Sequence, residues 1–119
     1  MEKRIVVVGA ANVDITATPT QTYVPRDSNP ARVDITFGGV ARNIAHNLAL
    51  LGCTTRLLTV FGTDSLAAAL IDHCLSVGIE LTPLHHVQGA RSNFFVCIND
   101  HHGEMQSGAA DTSLMDGLT

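Results

Sequence analysis

The apolar residues of this chain follow two rhythms, one of strands and one of helices. RIVVV, Arg4 to Val8, is a continuous β-branched run. Such runs suit a central strand of a parallel sheet, buried on both faces. Gly9 stands where the strand should end, and extended chain continues through Asn12 and Asp14. RVDITF alternates instead, with Val33, Ile35 and Phe37 on one face and Arg32, Asp34 and Thr36 on the other. That pattern predicts a half-exposed strand. Between them, Pro19 to Pro30 holds three of the four prolines and reads as a loop or edge excursion.

The helical rhythm begins after Gly38-Gly39. Ile44, Leu48 and Leu51 fall at i, i+4 and i+7, which predicts an amphipathic helix from about Val40 to Leu51 with Gly52 as its cap. TRLLTVFG predicts a second buried strand. TDSLAAALIDHCLSVG predicts a second helix, with Asp64 or Ser65 as N-cap and Gly78 as C-cap. SNFFVCIND and EMQSG read as two strands around a tight turn at HHG, and DTSLMDGLT begins a further helix. Alternating strands and helices point to an α/β parallel sheet, while the alternating exposed strands suggest a small β flap beside it.

Composition narrows the partners. The 119 residues are 45% hydrophobic and 15% charged, with a net charge of −4 and a single lysine. That argues against a sequence-independent grip on nucleic acid or on an acidic membrane, both of which need clustered cations. No run approaches the length of a membrane span. The start, MEKRIVVVGAA, reads as a first strand and not as a signal peptide. Cys53, Cys74 and Cys97 are odd in number and form no C-x-x-C pair. They read as free thiols of a cytoplasmic chain.

Two constellations carry chemistry. Asn12 and Asp14, two apart on extended chain, point to one side at the end of the first strand. In an open α/β sheet that is where ligands sit, and a carboxylate there suits a sugar's vicinal diol. The same pair, taken on spacing alone, makes an ordinary turn or cap. Gly38 and Gly39 let a ligand approach the main chain, just before a helix N-terminus with free N–H groups. Asn43, in the first turn, leans back toward that end. A plain strand-to-helix turn would use the same glycines. No G-x-x-x-x-G-K-[ST] or G-x-G-x-x-G occurs. The pairs His85-His86 and His101-His102 have poor spacing for metal ligation and read as solvated loops, with His46 and His73 on helix surfaces.

Together these pieces resemble the ribokinase-like (PfkB) carbohydrate kinase family. GGVARNIAHNLALLGCTTRLLTVFG, Gly38 to Gly62, resembles that family's N-terminal signature. GAANVD is similar to its first substrate segment, FGTD to its next turn, and NDHHGE to the tip of a lid hairpin. Within the family, DSNP and the Val40–Leu51 helix look most like the pseudouridine kinase branch. Departures are Ala67, where the family usually has glycine, and Val40, where ribokinase has lysine; Val40 favours a nucleoside over free ribose.

The resemblance implies an α/β fold: a partial Rossmann-like (ribokinase-like) parallel sheet with helices plus a small β lid. Residues 1–119 would be the N-terminal portion of one such domain, with lid strands at about 16–37 and 80–107. It implies ATP-dependent phosphorylation of a ribose 5′-hydroxyl, most closely that of pseudouridine. Alternatives are a ribokinase or other sugar or nucleoside kinase of the family, or a non-catalytic sugar-binding or dimerising fragment. Asp14 would hold ribose hydroxyls beside Asn12 and Asn43, and Gly38 and Gly39 would form the lid hinge against the sugar. Arg42, Ser28 and Asn29 would make contacts near the base or the closing lid. The catalytic aspartate, ATP and Mg2+ would be held beyond residue 119; Asp111, in GAADTS, follows the lid hairpin and is not that aspartate. The implied partners are a small sugar or nucleoside and, through the lid strands, a second copy of the chain.

Overall fold

The computed structural model describes residues 4–118. Three parallel strands form its base: β1 (Arg4–Val8), β4 (Thr54–Leu58) and β6 (Ile79–Glu80), in the order β1-β4-β6. A second, four-stranded sheet is the lid. It joins β2 (Asn12–Pro19), β3 (Ala31–Gly38), β8 (Asn93–Asn99) and β9 (Met105–Asp111) in the order β3-β2-β8-β9. Two hairpins, β2–β3 and β8–β9, meet there along a parallel β2–β8 seam that sets Asn12 beside Asn93 and Asp14 beside Phe95. A short parallel pair, β5 (Val60–Phe61) and β7 (His85–His86), lies between the sheets in the chain.

Helix α1 (Val40–Leu50) packs on β4 and β1, and α2 (Ser65–Ser76) on β6 and β2. Leu57, Leu70, Cys74, Ile79 and Val13 form the centre of the core, with Ala41 and Ala45 from α1. Asp64 is the N-cap of α2, its carboxylate accepting from Ala67 N–H at 2.9 Å. That bond satisfies one of the donors every helix start leaves open.

Four expectations change. β1 is an edge strand, not a central one: Val6 and Val8 are 58% and 60% exposed, because α1 covers only the face carrying Val7. The buried stripe of α1 is Ala41, Arg42 and Ala45, and Leu51 is 79% exposed. The reason is close approach: a Cβ built on Gly9 would lie 2.7 Å from the Ala41 Cβ, so only small side chains fit there. TRLLTVFG divides into β4 and β5, which pair in different sheets. The lid strands are 12–19, 31–38, 93–99 and 105–111; residues 79–80 belong to the base and 85–86 pair with β5.

Smaller differences follow. Val33 and Ile35 remain exposed on β3, as do Val96 and Ile98 on β8. Ser113–Gly117 is a short 3-10 helix. His85 and His86 are strand residues, although exposed, and His86 Nδ1 lies 3.1 Å from the Gly62 carbonyl. The opening MEK and the final Thr119 lie outside the described residues.

Candidate acceptor site at the hinge end of the lid

β1 ends at Val8 and the chain turns through Gly9, Ala10 and Ala11 into the lid strand β2. Asn12 and Asp14 therefore sit where base and lid meet. Gly38, the last residue of β3, pairs with Asn12. A Cβ on Gly38 would fall 2.3 Å from Asp14 Oδ2, so the carboxylate lies directly over the glycine. Gly39 has φ +97 and would place a Cβ 2.5 Å from the Ala10 carbonyl oxygen. Any L side chain there meets both a strained backbone and a main-chain wall. The two glycines thus have separate tasks: one makes room for a carboxylate, the other turns the chain into α1 against the β1–β2 connection.

Asp14 is half-buried, and that burial pushes its carboxyl above the usual carboxylate range; the Arg42 guanidinium pulls it partly back. Asn12 Oδ1 is buried without a hydrogen-bond partner, one of a few such atoms among the described residues. Asn12 also lines a cleft of about 330 Å³ between β1 and α1, with Gly9, Ala10, Ala41 and Ile44. Buried acceptors without donors are unusual and costly in a finished structure. Here an amide oxygen and a desolvated carboxylate share one face of β2. Chemically, the arrangement offers hydrogen-bond acceptors side by side on one face.

Asn43 lies in the first turn of α1, exposed, with its Oδ1 accepting from Arg42 Nη1 at 3.0 Å. Asn12, Asp14, Gly38, Gly39, Arg42 and Asn43 are thus brought to one end of the lid. Ser28 and Asn29 are not. They sit in the β2–β3 loop, beyond the Pro19–Ala31 pair, about 23 Å along the strands from Asn12. Asn29 is used up inside that loop: Val24 N–H donates to its Oδ1 at 2.8 Å, and its Nδ2 donates to the Val24 carbonyl at 2.9 Å.

Arg42 also differs from its expected role. It is only 6% exposed, and it turns toward α2, where its Nη2 meets His73 Nε2. His73 and His46 are not free surface residues, because the His73 ring lies tilted against Phe37 with centroids 5.1 Å apart and edge-on to His46 at 6.2 Å. Burial, then Arg42 and His46, hold the His73 imidazole below its usual range.

Two features escaped the sequence reading. Asn93 is fully buried on the strand beside Asn12, its Nδ2 donating to the Ala11 carbonyl at 3.4 Å while its Oδ1 has no partner. The signal for it was a polar residue heading the apolar run NFFVCI. Asp64 does more than cap α2. Ser92 Oγ donates to it at 2.7 Å and Ser92 N–H at 3.0 Å, so it ties α2 to the start of β8. Burial pushes this carboxyl up, but the Ser92 and Ala67 bonds outweigh that and hold it below the usual range.

Among the described residues, no group of three or more His, Cys, Asp or Glu could hold a metal ion, and no helix is long and apolar enough to cross a membrane.

Comparison with known proteins gives this geometry a context. Residues 2–115 match the pfkB family of carbohydrate kinases. The chain is 32% identical to a pseudouridine kinase of Escherichia coli, over 97% of this chain and 37% of that protein. It is 33% identical to an uncharacterized sugar kinase, YeiI, of the same organism, over 96% of this chain and 32% of that protein. It thus spans about a third of the length of these curated relatives. A carbohydrate kinase from Agrobacterium tumefaciens superposes with a TM-score of 0.87 at 27% identity, over 94% of this chain and 36% of that one. The parallel base, the lid sheet and the signature around Gly38 and Gly39 therefore have one explanation: the chain belongs to the pfkB family of carbohydrate kinases.

Proposed function

We propose that this chain is the acceptor-binding part and lid of an ATP-dependent nucleoside kinase whose substrate is pseudouridine. The observation that carries the reading is the pair of acceptors on β2: the buried, unpaired Asn12 Oδ1 and the partly desolvated Asp14 carboxylate. A ribose offers the donors they lack. Asp14 would accept from ribose hydroxyls, with Asn12 beside it, and Asn43 would meet the ligand from the helix N-terminus. Similarity to the E. coli pseudouridine kinase supports the nucleoside, and Val40 in place of lysine supports a ribosyl ligand with an attached base.

The reaction would transfer the γ-phosphoryl group of ATP to the ribose 5′-hydroxyl, with ATP and Mg2+ held outside residues 1–119. The part of these residues is to bind and orient the acceptor and to keep water from it under the lid, which is where much of the catalytic advantage in phosphoryl transfer arises. The 119-residue chain alone would show no turnover, and measured ADP release by it would overturn that statement. In the cytoplasm the lid would also pair with a second copy, through the exposed Val33, Ile35, Val96 and Ile98.

The test is calorimetric titration of pseudouridine, uridine and ribose into the protein, wild type and Asp14→Ala. Pseudouridine should bind best, and Asp14→Ala should lose about 2 kcal/mol or more, the scale of hydrogen bonds to a charged group. Equal binding by the variant would remove Asp14 from the site. Preference for ribose would move the substrate assignment.

A further inference from the structure

We propose that Phe95 is the platform for the base of the ligand: a ring on the same face of the lid as Asp14, further across the sheet, that makes the site prefer a nucleoside to a free sugar. This rests on the reading of Asp14 as the carboxylate that holds the ribose, and it names the side chain that meets what the ribose carries.

The geometry begins with register. Asp14 and Phe95 are partners in the parallel β2–β8 ladder, so their side chains leave the same face of the sheet. On that face the Asp14 carboxylate lies over Gly38, toward β3. Phe95 leans the other way. Its Cε2 and Cζ lie 3.5 Å from where a Cβ of Gly108 would stand, so the ring reaches from β8 toward β9. Strands lie about 4.8 Å apart, which sets the ring roughly one to two strand spacings from β2. A sugar held at Asp14 ends short of the ring, and an aromatic base attached to that sugar comes to lie on it. On the opposite side of Asp14, β3 offers Thr36 and Asp34 to the same face, and no ring.

Three further observations separate this role from packing. First, the core lies on the other face: Val13, Phe37 and Phe94 pack there, and the exposed Val96 and Ile98 share their side of the sheet. Phe95 is half-buried, lies outside that core, and is the one aromatic side chain that the four lid strands send to the Asp14 face. Second, Gly108 stands inside β9 without the positive φ that would call for glycine. A glycine within a strand weakens it and marks a place where something must come close. Here the ring tip comes close, with Met105 Sδ 3.1 Å from the same point. Third, Ser107, Ala109 and Ala110 are small and exposed, so Met105 is the only large side chain that β9 brings near the ring. A carboxylate takes sugar hydroxyls, and an aromatic ring takes the flat face of a base. A free pentose has no such face to offer.

The test titrates pseudouridine, uridine and ribose into wild type, Phe95→Ala and Phe95→Tyr, by calorimetry and by NMR of protein with 13C-labelled phenylalanine rings. The chain has four phenylalanines, and the Phe95 signal is the one that Phe95→Ala removes. In wild type the nucleosides should move that signal and ribose should not. Phe95→Ala should lose about ten- to one-hundredfold in nucleoside affinity, the worth of one stacked base, with ribose affinity unchanged. Phe95→Tyr should restore the nucleoside. Circular dichroism checks the fold of each variant. If Phe95→Ala does not fold, Gly108→Val takes its place: it keeps the ring but pushes its tip off β9, and should bring the same loss for nucleosides alone. Equal losses for ribose and nucleosides, unchanged nucleoside affinity in the folded variant, or a Phe95 signal that ignores the nucleosides each overturn the proposal. If uridine moves the signal and loses affinity as strongly as pseudouridine, and binds as well, the platform stands and the pseudouridine assignment falls. If pseudouridine binds best and Phe95→Ala keeps that affinity, the functional reading stands and the platform falls. If none of the three binds, both fall.

Discussion

The two ends of the lid sheet are built from similar residues and finished in opposite ways. At the tip, Asn29 closes the β2–β3 loop on itself, and Asp100 accepts from His102 N–H, Glu104 N–H and Gln106 Nε2. The loops even touch, Tyr23 N–H donating to His101 Nδ1 at 3.3 Å. At the end next to the base, Asn12 and Asn93 each leave an oxygen unpaired, and Asp14 is partly desolvated without an ion pair among the described residues. Polar groups that satisfy one another make shape. Buried acceptors left without a donor are what the proposed ligand would satisfy.

The largest effect that would break this contrast is on binding. Asp14→Ala at the hinge should cost about 2 kcal/mol or more of nucleoside affinity by calorimetry, whereas Asn29→Ala at the tip should leave affinity unchanged. Equal losses would erase the distinction between the ends. Next comes Gly38→Ala, whose methyl group would meet the Asp14 carboxylate. It should lower stability by about 1–3 kcal/mol in denaturant unfolding and weaken the same ligand, since overpacking displaces what it strikes. Asp64→Ala should cost about 1–2 kcal/mol, the value of an N-cap, with a further loss from the Ser92 bonds, and should leave nucleoside affinity nearly intact.

The smallest effects concern pH. The carboxyl of Asp14 is raised in the fold, so the native state binds its proton more readily than the unfolded chain does. Its contribution to stability is therefore lost as pH rises above the unfolded value. Asp14→Asn should melt at or above the wild-type temperature at pH 7 while losing nucleoside, a stability gain at the expense of function. A lower melting temperature would contradict the assignment of its cost to burial. His73 runs the other way: its folded value is lowered, so stability is full above the unfolded value near 6.5 and declines as pH falls below it. His73→Gln should flatten that acid-side slope.

Much of the architecture was legible because local periodicity decides it. The start of α2 followed from Asp64, while its C-cap is Val77, one residue before the expected Gly78, and the β8–β9 hairpin followed from two short runs around its HHG turn. Hydrophobicity misled where neighbours decide burial. Val6 and Val8 are β-branched and exposed because nothing described covers their face, while Arg42 is charged and buried because α1 and α2 close around it. The candidate site was legible in part. Asn12, Asp14, Gly38, Gly39 and Asn43 come from segments with recognisable patterns, and they converge. His73 and Asn93 do not announce themselves, since His73 is 31 residues from Arg42 and Asn93 is 82 from Ala11. Ser28 and Asn29 carried a pattern but lie at the other end of the sheet.

The seam between the hairpins has a kinetic side. Thr16 pairs with Cys97 in the β2–β8 ladder across 81 residues of chain. Each hairpin can close early and by itself, but the seam must wait until the intervening helices and base strands have brought its halves together. The row that sets Asn12 beside Asn93 is then among the last contacts made. The acceptor face would be assembled only on molecules whose base has already folded, and a stopped-flow experiment should see pairing at the seam trail the formation of α1 and α2.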